Sequence, residues 1–145
     1  MSDSHELERF VSAQDRGGTY EAAVAELRAG RKRSHWMWFV FPQIAGLGQS
    51  LTSRQYAIRS LGEARAYLAH PVLGPRMIEC ARIVSELEGT SAGEIFGGID
   101  AMKLRSSMTL FARADPANPV FGRVLDAYFD GEPDEATERL LGRDP

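Results

Sequence analysis

Ser34-His35-Trp36-Met37-Trp38-Phe39-Val40-Phe41-Pro42-Gln43 is the stretch whose reading decides the fold class. Trp38-Phe39-Val40-Phe41 has the composition of a strand, and Pro42 biases the residue before it toward extended backbone. No other segment alternates with period two for long enough to need a sheet, so this block is the one doubtful stretch in an otherwise helical reading. The block holds both tryptophans and two of the seven phenylalanines, directly after Arg31-Lys32-Arg33. Aromatic rings carry the largest burial payload, while indole N–H groups, His35 and Gln43 need hydrogen-bond partners once buried. It reads as the centre of a core, the floor of a site, or both.

Working outward, periodicity and capping residues speak for helix. Upstream, Thr19 caps a helix with Tyr20, Ala23, Val24 and Leu27 on one face and Gly30 at its C′ position. Before it, Ser4 caps a helix bearing Leu7, Phe10 and Val11, which Arg16-Gly17-Gly18 ends. Downstream, Gly46, Gly48, Ser50 and Thr52 mark a loop, and Ser53 opens a short helical turn through Tyr56 and Ile58. Ser60 with Glu63, and Ser91 with Glu94, have the spacing of capping boxes.

Pro71 suits the first turn of a helix whose stripe is Leu73, Met77, Cys80, Val84 and Leu87, closed by Gly89. Asp100 caps a helix carrying Leu104, Met108 and Phe111, and Asn118-Pro119 opens one through Val124, Leu125, Tyr128 and Phe129. After Gly131-Glu132-Pro133 a last short helix has Asp134 and Glu135 in its first turn, favourable to the macrodipole. The expectation is an all-α, single-domain array over residues 1–145 with about seven to eight helices.

Whole-chain numbers narrow the function. A net charge of −3 disfavours a dedicated nucleic-acid binder while leaving room for a local basic patch. The single cysteine, Cys80, excludes an internal disulfide framework and any multi-cysteine metal site, which fits a reducing cytoplasm. The polar start of the chain carries no secretory signal, and the longest apolar run, Trp36 to Phe41, is far too short for a bilayer. No two histidines have helical metal-ligand spacing, and the glycines form neither a phosphate loop nor a dinucleotide fingerprint. No metal and no cofactor is expected.

Three places carry chemistry. In the aromatic block, Trp36 and Trp38 offer walls on which a planar ring stacks, with His35 and Gln43 as polar companions. Arg28, Arg31, Lys32 and Arg33 straddle a helix C-terminus, where the dipole favours cations; Lys32 and Arg33 also adjoin the aromatics, where they can hold a phosphate. Lys103-Leu104-Arg105-Ser106-Ser107-Met108-Thr109 places three hydroxyls in a helix interior, against local propensity. Those hydroxyls either bond back to carbonyls one turn earlier or, with Lys103 and Arg105, form an anion cradle. His35 is the candidate acid or base. His70, at a helix end before Pro71, reads as a cap, and Cys80 as an inert small hydrophobe.

With Gly46-Leu47-Gly48 and His70-Pro71-Val72-Leu73-Gly74, these motifs resemble the domain of unknown function 1810 family, small multihelical bacterial proteins, from about Leu7 to Leu141. The resemblance implies an all-helical fold and no assigned activity. The helix order around His70 and Ile95-Phe96-Gly97 is also similar to helical domains tied to NAD and ADP-ribose metabolism. Those carry a glutamate within their serine–histidine motif, and this chain has none between Ser34 and Phe41, which counts against glycohydrolase catalysis.

Two functions follow as expectations. One is a site for a small anionic, ring-bearing ligand, a nucleotide or ADP-ribose derivative. Arg33, His35, Trp36, Trp38 and Gln43 form one wall of it, and Lys103, Arg105 and Ser107 the other. The alternative is a non-enzymatic interaction module whose aromatics are simply core. Both turn on whether the aromatic block and the serine-doublet helix meet at a shared hollow.

Overall fold

The computed structural model describes residues 6–48 and 50–142. Over these residues the chain is all-helical, with ten α-helices, one 3-10 turn and an isolated parallel bridge between Ile44 and Ile58. α1 (Glu8–Asp15) and α2 (Thr19–Arg28) are joined by the 3-10 turn Arg16–Gly18. Thr19 is the first residue of α2 and not its cap. Gly18 takes that place, and the Thr19 hydroxyl donates to the carbonyl of Arg16. Ser4, the expected cap of α1, lies outside the described residues.

The doubtful block resolves as helix. α3 (Met37–Val40) is a single turn, in which the amides of Val40 and Phe41 donate to the carbonyls of Trp36 and Met37 at 3.1 Å each. Pro42 has no N–H to extend the ladder, so the backbone turns extended only after Phe41. There Gln43 and Ala45 flank the bridge: Ile58 N–H donates to Gln43 at 2.8 Å, and Ala45 N–H to Ile58 at 2.7 Å. Between the bridged residues sits α4 (Leu51–Gln55), capped by Ser50 and not by Ser53. One-turn elements of this kind raise the helix number above the seven or eight expected.

α5 (Leu61–Ala69), α6 (Leu73–Glu86), α7 (Ala92–Phe96), α8 (Gly98–Ala114), α9 (Val120–Phe129) and α10 (Glu135–Leu141) follow. Ser60, Ser91 and Asp134 each accept the backbone N–H three residues on, at 3.0, 3.1 and 2.9 Å. His70 Nδ1 accepts from Val72 and Leu73 at 3.1 and 3.3 Å, the capping role its position suggests. α8 begins two residues before Asp100, which is thereby freed from capping.

α5 and α9 each pack on both α6 and α8, and α1 and α2 close one flank. Met77, Cys80 and Val84 of α6 meet Leu104, Met108 and Phe111 of α8 in a core that also holds Tyr67, Phe10, Trp36 and Phe41. Each such side chain removed from water contributes roughly 1.5–3 kcal/mol, which outweighs the weak propensities of the short helices. Two buried polar groups brace this core. Gln14 donates to the carbonyl of Phe39 at 2.7 Å and accepts from Arg76 at 3.2 Å, fixing the end of α3. Glu63, paired with Arg9 at 3.4 Å, accepts the Arg59 N–H at 2.8 Å, while Arg9 donates to the carbonyls of Gln55 and Ala57. The loop after α4 is thus tied to α1 and α5. No helix among the described residues is long and apolar enough to cross a membrane.

The tightest point is Gly74, where an added Cβ would stand 2.1 Å from the carbonyl oxygen of Leu68. Backbone cannot give way as a side-chain tip does. Gly74→Ala is expected to cost about 3 kcal/mol by forcing α5 and α6 apart, read as a lower denaturation midpoint at an unchanged slope.

Candidate functional site

The site is built on a turn that one carboxylate organises. Glu26, in the last turns of α2, accepts from the N–H groups of Arg33 and Ser34 at 2.7 and 3.0 Å, from the Ser34 hydroxyl, and from the Trp36 indole at 2.9 Å. Partial burial opposes its charge. The Ser34 hydroxyl, the two amides and the indole outweigh that and hold its carboxyl well below the usual range, at about 2. Lys32 reinforces the turn: its amide donates to the Ile95 carbonyl at 2.7 Å, and its ammonium donates to the Ser34 carbonyl at 2.6 Å.

That turn sends the two tryptophans in different directions. Trp36 is fully buried, in ring contact with Phe41 and Phe96. Trp38 is half-buried and lies beneath the ammonium of Lys103, 4.4 Å from the ring centroid. The aromatic block and α8 therefore do meet, at Trp38 and Lys103. Around that contact is a hollow of about 450 Å³, walled on one side by Trp38, Gln43 and Leu47 and on the other by Ile99, Met102 and Lys103. Its size falls within the range of small-molecule pockets. Asp100 bridges Lys103 at 3.4 Å and Lys32 at 3.0 Å, and Lys32 in turn sits over Trp36. Two ammonium groups share one carboxylate, which leaves the cluster positive.

The other expected residues fall elsewhere. Arg33 and His35 are exposed and border no part of this hollow. His35 has no hydrogen bond among the described residues that would orient its ring for proton transfer. Arg105 lies over Phe129 and donates to the carbonyl of Glu132 at 3.0 Å, which turns it toward α10. Ser107 is fully buried with its hydroxyl unpartnered, whereas its neighbours Ser106 and Thr109 bond back to the carbonyls of Met102 and Arg105. Thr109 also accepts the Asp134 N–H at 2.8 Å, pinning the start of α10.

Sequence reasoning missed Glu26, Ile99 and Met102 here. Glu26 had a signal: an acidic side chain near a helix C-terminus opposes the dipole and needs a compensating partner. Ile99 and Met102 had one as well. With Lys103 and Ser106 they repeat at i, i+3, i+4 and i+7, a second stripe on the face of α8 opposite Leu104 and Phe111. Ile99 and Met102 are 75% and 69% exposed on the wall of the hollow. Gly48 has a local reason to be glycine, since a Cβ there would stand 2.6 Å from the Cβ of Ser53.

An all-helical protein with a ligand-sized hollow beside a tryptophan is the class that fold and site define. The family model described as protein of unknown function (DUF1810) matches residues 4–141, and the chain belongs to that family. The crystal structure of the conserved hypothetical protein Rv1873 from Mycobacterium tuberculosis is similar at 54% identity and a TM-score of 0.93. The match covers 97% of this chain and 99% of that one. No curated protein matches the chain.

Glu26 makes a pH-dependent contribution of known sign. Its folded carboxyl titrates at about 2 against an ordinary 4.5, so between these values the unfolded state binds more protons. The stabilisation is complete above about 4.5 and is lost as pH falls toward about 2. Glu26→Gln is expected to lower stability at pH 7 and to flatten the fall in stability below about pH 4.5, measured by denaturant titration across that range.

Proposed function

We propose that this protein binds a small anionic molecule bearing a planar ring, a nucleotide or ADP-ribose derivative by class, in the hollow over Trp38. The observation that supports the reading is the convergence of an indole, an uncommitted amide and a cation on one apolar concavity. Gln43 lines the hollow with its side-chain amide outside any hydrogen bond among the described residues, as a recognition group is before its ligand arrives. Lys103 brings charge held in place by Asp100. Ile99 and Met102 sit in water at a free-energy cost that folding alone does not explain, and a ligand's ring would cover them. A reducing, cytoplasmic setting, suggested by the lone buried Cys80, belongs to the same reading.

A second reading has one observation in its favour. Ile99 and Met102, exposed along one wall of the hollow, also suit an interaction module that docks another protein there. Met102→Glu separates the two: it abolishes partner capture under this second reading, while nucleotide titration of the wild-type protein stays flat.

Under the ligand reading, calorimetry with adenosine nucleotides and ADP-ribose at up to millimolar levels gives saturable binding. Trp38→Ala weakens it about tenfold or more, since stacking on an aromatic contributes about 1–3 kcal/mol per base, and leaves thermal stability close to wild type. Trp36→Ala has the opposite signature and costs roughly 3–5 kcal/mol of stability. A flat titration for every compound sinks the reading.

A further inference from the structure

We infer that the ligand's charge is taken by Arg54 and Arg59, in a second hollow that adjoins the first, and that the ligand is therefore a phosphorylated ring compound lying across both. This rests on the ring-binding reading above and adds where the anion goes. The second hollow, of about 220 Å³, lies between the bridged segment Ile44–Gly46 and the end of α4. Trp38, Gln43, Gly48 and Ser53 line both hollows, so the two meet along that border.

Charge separates them. The hollow over Trp38 is bordered by Lys103, already paired with Asp100, and by the carboxylate of Asp134, which caps α10. An anion there meets a half-neutralised ammonium and an opposing carboxylate. The second hollow is lined by two guanidinium groups and by no carboxylate among the described residues. Arg54 is exposed and enters no ion pair or hydrogen bond through its side chain among those residues. Arg59 has a partner in Glu6 at 3.5 Å, but the two side chains are 59% and 71% exposed, and a pair so solvated exchanges readily for a phosphate. Two guanidinium forks beside one cavity suit phosphate oxygens better than ammonium groups do, because each donates paired parallel N–H groups.

The arrangement is held in place. The Ile44–Ile58 bridge fixes both ends of the segment bearing Arg54, and Glu63 fixes the Arg59 amide. The Gly48–Ser53 approach presses the border loop onto α4, so an anion site and a ring site stand at a set separation. The apolar compartment then selects for the ring and the arginines for the phosphate. Gln43, on the border, reaches either part.

Calorimetry on the full chain at low salt tests this with adenosine, adenosine 5′-monophosphate and inorganic pyrophosphate, on wild type, Arg54→Gln, Arg54→Gln/Arg59→Gln, Lys103→Gln and Trp38→Ala. The expected result is monophosphate binding at least tenfold tighter than adenosine. That advantage falls about threefold in Arg54→Gln and vanishes in the double variant, while adenosine affinity is unchanged. Pyrophosphate binds wild type weakly and is lost in the double variant, while adenosine affinity falls about tenfold or more in Trp38→Ala. Adenosine binding as tightly as the monophosphate, or a phosphate preference that survives the double variant and disappears in Lys103→Gln, overturns the assignment of the anion site and leaves the ring reading intact. Silence from all three probes on wild type overturns both.

Discussion

Four hydrogen bonds to the carboxylate of Glu26 set the path of the chain between α2 and α3, and the rest of the site depends on that path. Three consecutive basic residues would otherwise favour an open, solvated loop at Arg31-Lys32-Arg33. The carboxylate gathers two backbone amides, a hydroxyl and an indole into a tight turn, so Trp36 enters the core with its N–H satisfied. Once Trp36 is placed, a single helical turn carries Met37, Val40 and Phe41 inward beside it and leaves Trp38 facing α8. A buried indole lacking its acceptor costs about 1–3 kcal/mol, so core and carboxylate secure each other.

Much of the fold could be read before any coordinates, because helix ends obey local chemistry. Ser60, Ser91 and His70 act where the sequence puts them, and the Met77–Cys80–Val84 stripe lies in the core. Starts were misread where competition among neighbours decides: Gly18 takes the cap position next to Thr19, and Gly97 takes that of α8 ahead of Asp100. The site was harder. Trp36 and Trp38 look equivalent in sequence, and only the Glu26 turn makes one core and the other surface. Arg33 and Arg105 looked like companions of the aromatics by proximity along the chain or helix, yet angular position on α8 sends Arg105 toward Glu132 and Lys103 toward Trp38. Arg54 and Arg59 carried no motif at all, since their meeting depends on a bridge between residues fourteen apart in number.

α8 serves two surfaces at once. Its inner face, through Leu104, Met108 and Phe111, holds the molecule together, while Ile99, Met102, Lys103 and Ser106 form the wall of the hollow. The serine hydroxyls fit this double duty unevenly. Ser106 and Thr109 return their protons to the preceding turn, and Thr109 also ties down α10, but Ser107 faces the core with no acceptor. The paired lysines share Asp100 in a similar division of labour. Lys32 packs over the buried indole and Lys103 over the half-exposed one, so a single carboxylate couples core to rim.

The Ile44–Ile58 bridge has an evolutionary corollary. It closes residues 45–57 into an appendage whose two ends meet at the core, in the manner of compact surface loops that pack on themselves. Lengthening such a loop costs little, since closure entropy rises only with the logarithm of its size. Its base is another matter: Arg9 holds the carbonyls of Gln55 and Ala57, and the Tyr56 ring packs on Phe10 and Phe39, so a change of length near Tyr56 would reach into the core.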